Sequence, residues 1–193
     1  MSVRKIVFDI ETKNLFAEVG SASPESLSIS LVGVWDSETN SYTSYLEEEL
    51  GKLWPLLEKA DVLIGFNSDH FDIPLLNKYY PGNLTCIKSI DLLKEVKAVI
   101  GRRVKLDTLA QATLGEKKTA TGLKAYEWWK RGEIDKIREY CLEDVRITKE
   151  LYEYARAHGH LKYIDFNEVK EIPLDTSSWE DVTPTPMPHT LPW

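Results

Sequence analysis

The run Ile6-Val7-Phe8-Asp9-Ile10-Glu11-Thr12 is the key to this chain. Its apolar and β-branched residues make it a strand. Ile6, Phe8 and Ile10 alternate with Val7, Asp9 and Glu11, so a period of two puts both carboxylates on one face. Two like charges at the end of so apolar a strand repel each other unless a cation lies between them. Hard carboxylate oxygens suit Mg²⁺ or Mn²⁺. An isolated Asp-x-Glu also fits a strand whose polar face meets water, so the metal reading depends on further carboxylates arriving from elsewhere.

Outward from that strand, Lys13 to Pro24 is polar and reads as a loop. Leu27 to Trp35 alternates as a second strand, Asp36 to Ser41 supplies turn residues, and Tyr42-Thr-Ser-Tyr45 reads as a third, giving an antiparallel meander. Leu46, Leu50, Leu53, Trp54 and Leu57 follow at helical spacing, with Glu47, Glu48 and Glu49 in the first turn. Asp61 to Phe66 is short and continuously apolar, as in a strand buried on both faces. Helices are predicted over His70–Tyr80, Asp91–Ile100, Leu106–Leu114, Leu123–Lys130 and Ile134–Ala157. The class is therefore α/β: a mixed sheet of about five strands, the first three antiparallel, flanked by helices. Past Gly159, Tyr163–Phe166 and Val169–Ile172 suggest a small hairpin about Asn167-Glu168. Residues 182–193 carry four prolines without periodicity and read as an extended, solvated tail whose Leu191 and Trp193 could dock elsewhere.

With 193 residues, 42% of them hydrophobic, one domain with a tail is expected. No signal-peptide apolar region precedes the first strand and no apolar run approaches the ~20 residues of a membrane span, so the expectation is a cytoplasmic protein. Cys86 and Cys141 lack metal-ligand spacing and read as small buried residues. The net charge of −7 is unusual for a nucleic-acid binder. Residues 101–138, however, hold ten Lys or Arg against five acids, a local +5 that leaves −12 elsewhere. A basic segment beside an acidic site suits a phosphate substrate, and a solvated helical face gives the same count.

Two more acid clusters answer the first. Gly65-Phe66-Asn67-Ser68-Asp69-His70-Phe71-Asp72-Ile73-Pro74 follows the buried strand and places Asp72 early in a helix, where the dipole alone could also account for it. In Tyr140-Cys-Leu-Glu-Asp144, the tyrosine and the aspartate lie four apart along the edge of a buried stripe formed by Ile134, Ile137, Cys141, Val145, Thr148, Leu151 and Ala155. Asp69 and Asp91 are explained by an exposed helix start and an N-cap.

Asp9-Ile-Glu11-Thr12, Asn67 through Phe71-Asp72, and Tyr140-x-x-x-Asp144 together resemble the three motifs of the DnaQ-like, or DEDD, superfamily of 3′–5′ exonucleases in its tyrosine-bearing branch. Gly65-Phe66-Asn67, Phe71-Asp72-Ile73-Pro74 and Leu106-Asp107-Thr108-Leu109-Ala110 are most similar to the proofreading domain of family B DNA polymerases and its stand-alone relatives. The resemblance covers about residues 3–157. It implies a ribonuclease-H-like exonuclease domain over 1–160 and an extension over 161–193. It also implies that Asp9, Glu11, Asp72 and Asp144 hold two divalent ions, Mg²⁺ or Mn²⁺, and that Tyr140 orients the nucleophilic water. Glu139 stands where the sister branch has its histidine. Thr12 and Leu15 match positions that touch or wedge the 3′-terminal nucleotide, and Asn67 and Phe71 match positions lining the strand, although Leu15 and Phe71 also fit a core.

The expected activity is hydrolysis from the 3′ end of single-stranded DNA, releasing nucleoside monophosphates, as in DNA repair. The same chemistry on RNA is an alternative, and a non-catalytic module binding nucleic acid or protein is another. The acidic sum suggests a partner, a helicase or polymerase, that delivers the strand.

Overall fold

The computed structural model of the chain describes residues 3–116, 122–166 and 168–182. Strand β1 (Lys5–Thr12) lies at the centre of a five-stranded sheet. On one side it pairs antiparallel with β2 (Ile29–Asp36), which pairs antiparallel with β3 (Ser41–Leu46). On the other it runs parallel to β4 (Val62–Gly65), and β4 runs parallel to β5 (Lys88–Asp91). The spatial order is β3-β2-β1-β4-β5. β1 and β4 are buried on both faces, as a strand between helix layers must be.

Period two sorts β1 between two cores. Ile6, Phe8 and Ile10 join Leu63 of β4, Leu50, Leu53 and Leu57 of helix α2 (Leu50–Leu57), and Ile73 and Leu76 of α3 (Asp72–Asn77). Val7 points the other way, to a core shared with Val145, Leu151 and Ala155 of the long last helix. Asp9 and Glu11 are on Val7's side, so their carboxylates face that helix.

Several boundaries differ from the sequence reading. The expected loop 13–24 contains a short helix, α1 (Phe16–Val19), ended by Gly20 at φ 65°. Glu47–Glu49 form a single tight turn before α2 rather than its first turn. Helix α3 covers only six residues, because 68–71 are committed to the turn that carries Asp72. Strand β5 was hidden because Lys88-Ser-Ile-Asp91 is four residues long and runs directly into α4 (Leu92–Ile100). Helices α5 (Leu106–Leu114), α6 (Gly122–Lys130) and α7 (Ile134–His158) follow.

The hairpin is wider than the sequence suggested, β6 (His160–Asp165) with β7 (Glu168–Pro173), and Leu161, Tyr163 and Ile172 join the core on α7's side. Asn167, about which the hairpin was expected to turn, the expected tail with Leu191 and Trp193, and Lys117 and Lys118 of the basic segment lie outside the described residues. No helix among the described residues is long and apolar enough to cross a membrane.

Candidate active site

Parallel pairing of β1 with β4 brings the carboxyl end of β4 beside Asp9, and open α/β sheets form sites at such strand ends. Three segments converge there. Asp9 and Glu11 come from β1, with a register shift between Glu11 and Thr12 that ends regular pairing with β2 immediately beyond the acid pair. Asp9 is opposite Gly33 of β2. A Cβ on Gly33 would lie 2.8 Å from the Cys141 Sγ and 3.3 Å from Val145, so its absence lets α7 press against the sheet. The close approach carries Asp144 in, and oxygens of Asp9, Glu11 and Asp144 lie within 4.8 Å of one another.

The second segment is the turn after β4. Asn67 sits at φ 67°, a left-handed position that asparagine tolerates better than most side chains. Buried Asp91 holds the turn in place: its carboxylate accepts from the backbone N–H of Asn67 at 2.7 Å and of Asp69 at 3.2 Å. Asp91 also caps α4 through Leu93 N at 3.0 Å and Lys94 N at 3.3 Å. The turn then delivers Asp72, 3% exposed, to the start of α3. The Asp72 carboxylate takes the backbone N–H of Ile10, the residue between Asp9 and Glu11.

Burial, and after it the charges of Asp144 and Asp72, raise both Asp9 and Glu11 well above the ordinary carboxylate range. Burial and then Asp91 push Asp72 up to about 8. Among the described residues, no Lys or Arg forms an ion pair with Asp9, Glu11 or Asp72. Mutually repelling, hard-oxygen ligands brought this close together fit a divalent metal. Asp72 stands outside the tight set of three, close enough for its charge to act on Asp9 and Glu11.

Tyr140, one turn before Asp144, hydrogen-bonds to the Asp144 carboxylate. Burial and the surrounding acids raise its phenol far above the usual range, so it remains a donor. The Trp128 ring of α6 meets Tyr140 edge-on at 6.1 Å.

The four positions matched to substrate contacts have differing partners. The Thr12 hydroxyl donates to the Asn14 carbonyl at 3.0 Å, closing the turn out of β1. Leu15 caps α1, its N–H meeting the Glu18 carboxylate at 2.8 Å. Phe71 is partly buried against the core beneath α3 and also meets the exposed Phe16 edge-on at 6.1 Å. Asn67 Oδ1 accepts from the Arg103 guanidinium at 2.7 Å.

The basic segment is not one face. Arg102 pairs with Asp165, Lys130 with Glu18, Arg131 and Lys136 with Glu133, and Arg138 reaches Ser44. Cys141 is buried as expected, whereas Cys86 and Asp69 differ from the sequence reading. The Cys141 thiol lies 3.4 Å from the Asp9 carbonyl and 3.6 Å from its Oδ2, beneath the acid set; Cys86 is only half-buried. Asp69 starts no helix and pairs with Lys94 at 2.6 Å. Gly33 was the legible sign of the close helix contact, as the one residue without a side chain inside an otherwise fully buried strand.

The family model of the RNase H superfamily matches residues 6–156. The chain belongs to the RNase H superfamily. Among solved structures, this superfamily member is similar to the family B DNA polymerase from the hyperthermophilic archaeon Pyrobaculum calidifontis, with a TM-score of 0.62 and 22% identity. The match covers 81% of this chain and 25% of the polymerase, so the chain spans about a quarter of that protein's length. At this identity the likeness concerns the fold. A search of curated proteins finds no match. Superfamily membership and the close-set carboxylates together support a metal-dependent nuclease.

Proposed function

We propose that this protein is a metal-dependent 3′–5′ exonuclease that hydrolyses single-stranded DNA and releases nucleoside monophosphates. The observation that carries the reading is the meeting of Asp9, Glu11 and Asp144 oxygens within 4.8 Å, with the Tyr140 phenol hydrogen-bonded to Asp144. The motif resemblance to the tyrosine-bearing exonucleases supports the direction and the substrate.

In this reading Asp9, Glu11, Asp72 and Asp144 hold two divalent ions, Mg²⁺ or Mn²⁺. When bound, such ions stabilise the attacking and leaving oxygens of an in-line displacement and lower the pKa of water. The protein supplies placement. β1 and α7 hold the carboxylates on regular backbone, so little reorganisation is needed at the moment of reaction. Tyr140 keeps its proton and can donate to Asp144 while accepting from the attacking water, which fixes the line of attack. The aromatic rings of Phe16 and Phe71 offer π-faces to a terminal base without regard to its identity.

The test is digestion of a 5′-labelled and a 3′-labelled single-stranded DNA with Mg²⁺ or Mn²⁺. The expected result is a ladder shortening from the 3′ end, lost in EDTA and in Asp144→Asn. Internal cuts, or mononucleotides released from the 5′ end, would overturn the direction. A matched RNA oligonucleotide in competition decides the sugar, because the 2′-hydroxyl is what distinguishes the two strands.

A further inference from the structure

A site built from carboxylates in a chain of net charge −7 repels the polyanion it would cut. Something outside the metal set has to hold the strand. Two cations reach the turn after β4, and they are engaged differently. Lys94 is neutralised by Asp69 at 2.6 Å. Arg103 is exposed and forms no ion pair among the described residues. Its one guanidinium contact there, at 2.7 Å, is to the uncharged Asn67 Oδ1.

The Arg103 loop is fixed on both sides of that residue. Gly101 ends α4 at φ 75°, Arg102 pairs with Asp165 at 2.7 Å and lies over the Tyr163 ring at 5.3 Å, and Val104 is buried in the core. Asn67 is fixed as well, through its backbone bond to Asp91. A guanidinium has donors and no acceptor. Asn67 must therefore turn its carbonyl oxygen to Arg103, which leaves its amide N–H groups as donors. Two side chains on anchored backbone thus offer N–H groups together on the turn that leads to Asp72. That is the chemistry of a phosphodiester contact.

We propose that Arg103, with Asn67 oriented by it, binds a backbone phosphate of the single strand and offsets the repulsion of the carboxylate site. The proposal rests on the nuclease reading for the identity of its ligand, but binding can be measured without hydrolysis. The experiment is fluorescence anisotropy of a 5′-labelled oligo(dT) against NaCl concentration, with Ca²⁺ in place of Mg²⁺ so that the strand survives. It is run on the full chain as wild type, Arg103→Ala and Arg103→Lys, with thermal melting as the check on folding.

Arg103→Ala is expected to weaken binding about tenfold, the scale of one charge-assisted hydrogen bond. It is also expected to reduce the slope of log affinity against log salt by about 0.7, the value for one phosphate contact on a single strand. Arg103→Lys, which keeps the charge, should restore most of the slope. A merely structural role would lower affinity and leave the slope alone. An unchanged slope in Arg103→Ala, or no binding of the strand by the wild type, would overturn the proposal. If the wild type binds through Arg103 but cuts nothing with Mg²⁺ or Mn²⁺, the nuclease reading falls and the phosphate contact stands. If it cuts and the slope is unmoved, Arg103 alone is wrong.

Discussion

Asp9 is held from three directions. Glu11 and Asp144 approach its carboxylate, the Cys141 thiol lies beneath it, and Gly33 faces it across the strand pair. Without a cation this arrangement works against folding, so Asp9→Asn is expected to raise the melting temperature in EDTA while reducing hydrolysis below roughly one thousandth of wild type. A lower melting temperature in that variant would mean that the acid set is not strained. Tyr140→Phe keeps the ring against Trp128 and removes only the hydroxyl. If the phenol orients water, kcat should drop by about 10- to 100-fold with KM nearly unchanged, the size of effect seen when a supporting hydrogen bond is lost from a metal site. Steady-state kinetics on a short oligonucleotide separates the two constants.

At the scale of elements, the α7–β2 contact positions the site. Adding a methyl at Gly33 brings it 2.8 Å from the Cys141 Sγ, so α7 must move and take Asp144 with it. Gly33→Ala is expected to destabilise by about 1–3 kcal/mol, as overpacking usually does. Cys141→Ala in the same chain should recover part of that loss, giving a coupling of about 0.5 kcal/mol or more in chemical denaturation. Additive effects would show that the helix is not in contact there. The Asp91 link between β5, α4 and the Asn67 turn is the second such device. It was legible only as an N-cap, because local spacing reveals Leu93 and Lys94 as its partners while Asn67 and Asp69 come from 24 and 22 residues away.

For the whole molecule, pH and metal act on one balance. Asp72 rises from an ordinary 3.8 to about 8, and Asp9 and Glu11 move the same way. A carboxylate raised on folding contributes stability that is complete below its unfolded value and lost as pH climbs through its folded one. Metal-free protein is therefore expected to melt highest near pH 4 and progressively lower up to pH 8. Mn²⁺ or Mg²⁺ should restore stability at pH 8 and do little at pH 4, where protons occupy the same oxygens. Calorimetry with and without EDTA measures both limbs, and a melting temperature that rises with pH in EDTA would contradict the sign. The C-terminal region shares the main core: Trp179 stacks on Tyr152 at 5.5 Å, and Glu180 accepts from the Tyr152 hydroxyl at 2.6 Å. Trp179→Ala should cost about 3–5 kcal/mol of global stability, read from denaturant unfolding.

The alternation of Ile6 to Glu11, the apolar run of β4 and the stripe of α7 were readable from the chain alone, because side-chain direction in strands and helices follows a fixed period. That was enough for the α/β class, the mixed sheet and the acids that share a face. Distance emerges only from the folded chain. Whether Asp144 reaches Asp9, whether Asp72 joins them or stands beside them, and whether Arg103 meets Asn67 depend on strand order and on a missing side chain at Gly33. Those are contacts between segments far apart in sequence, and no local period encodes how closely two packed elements approach.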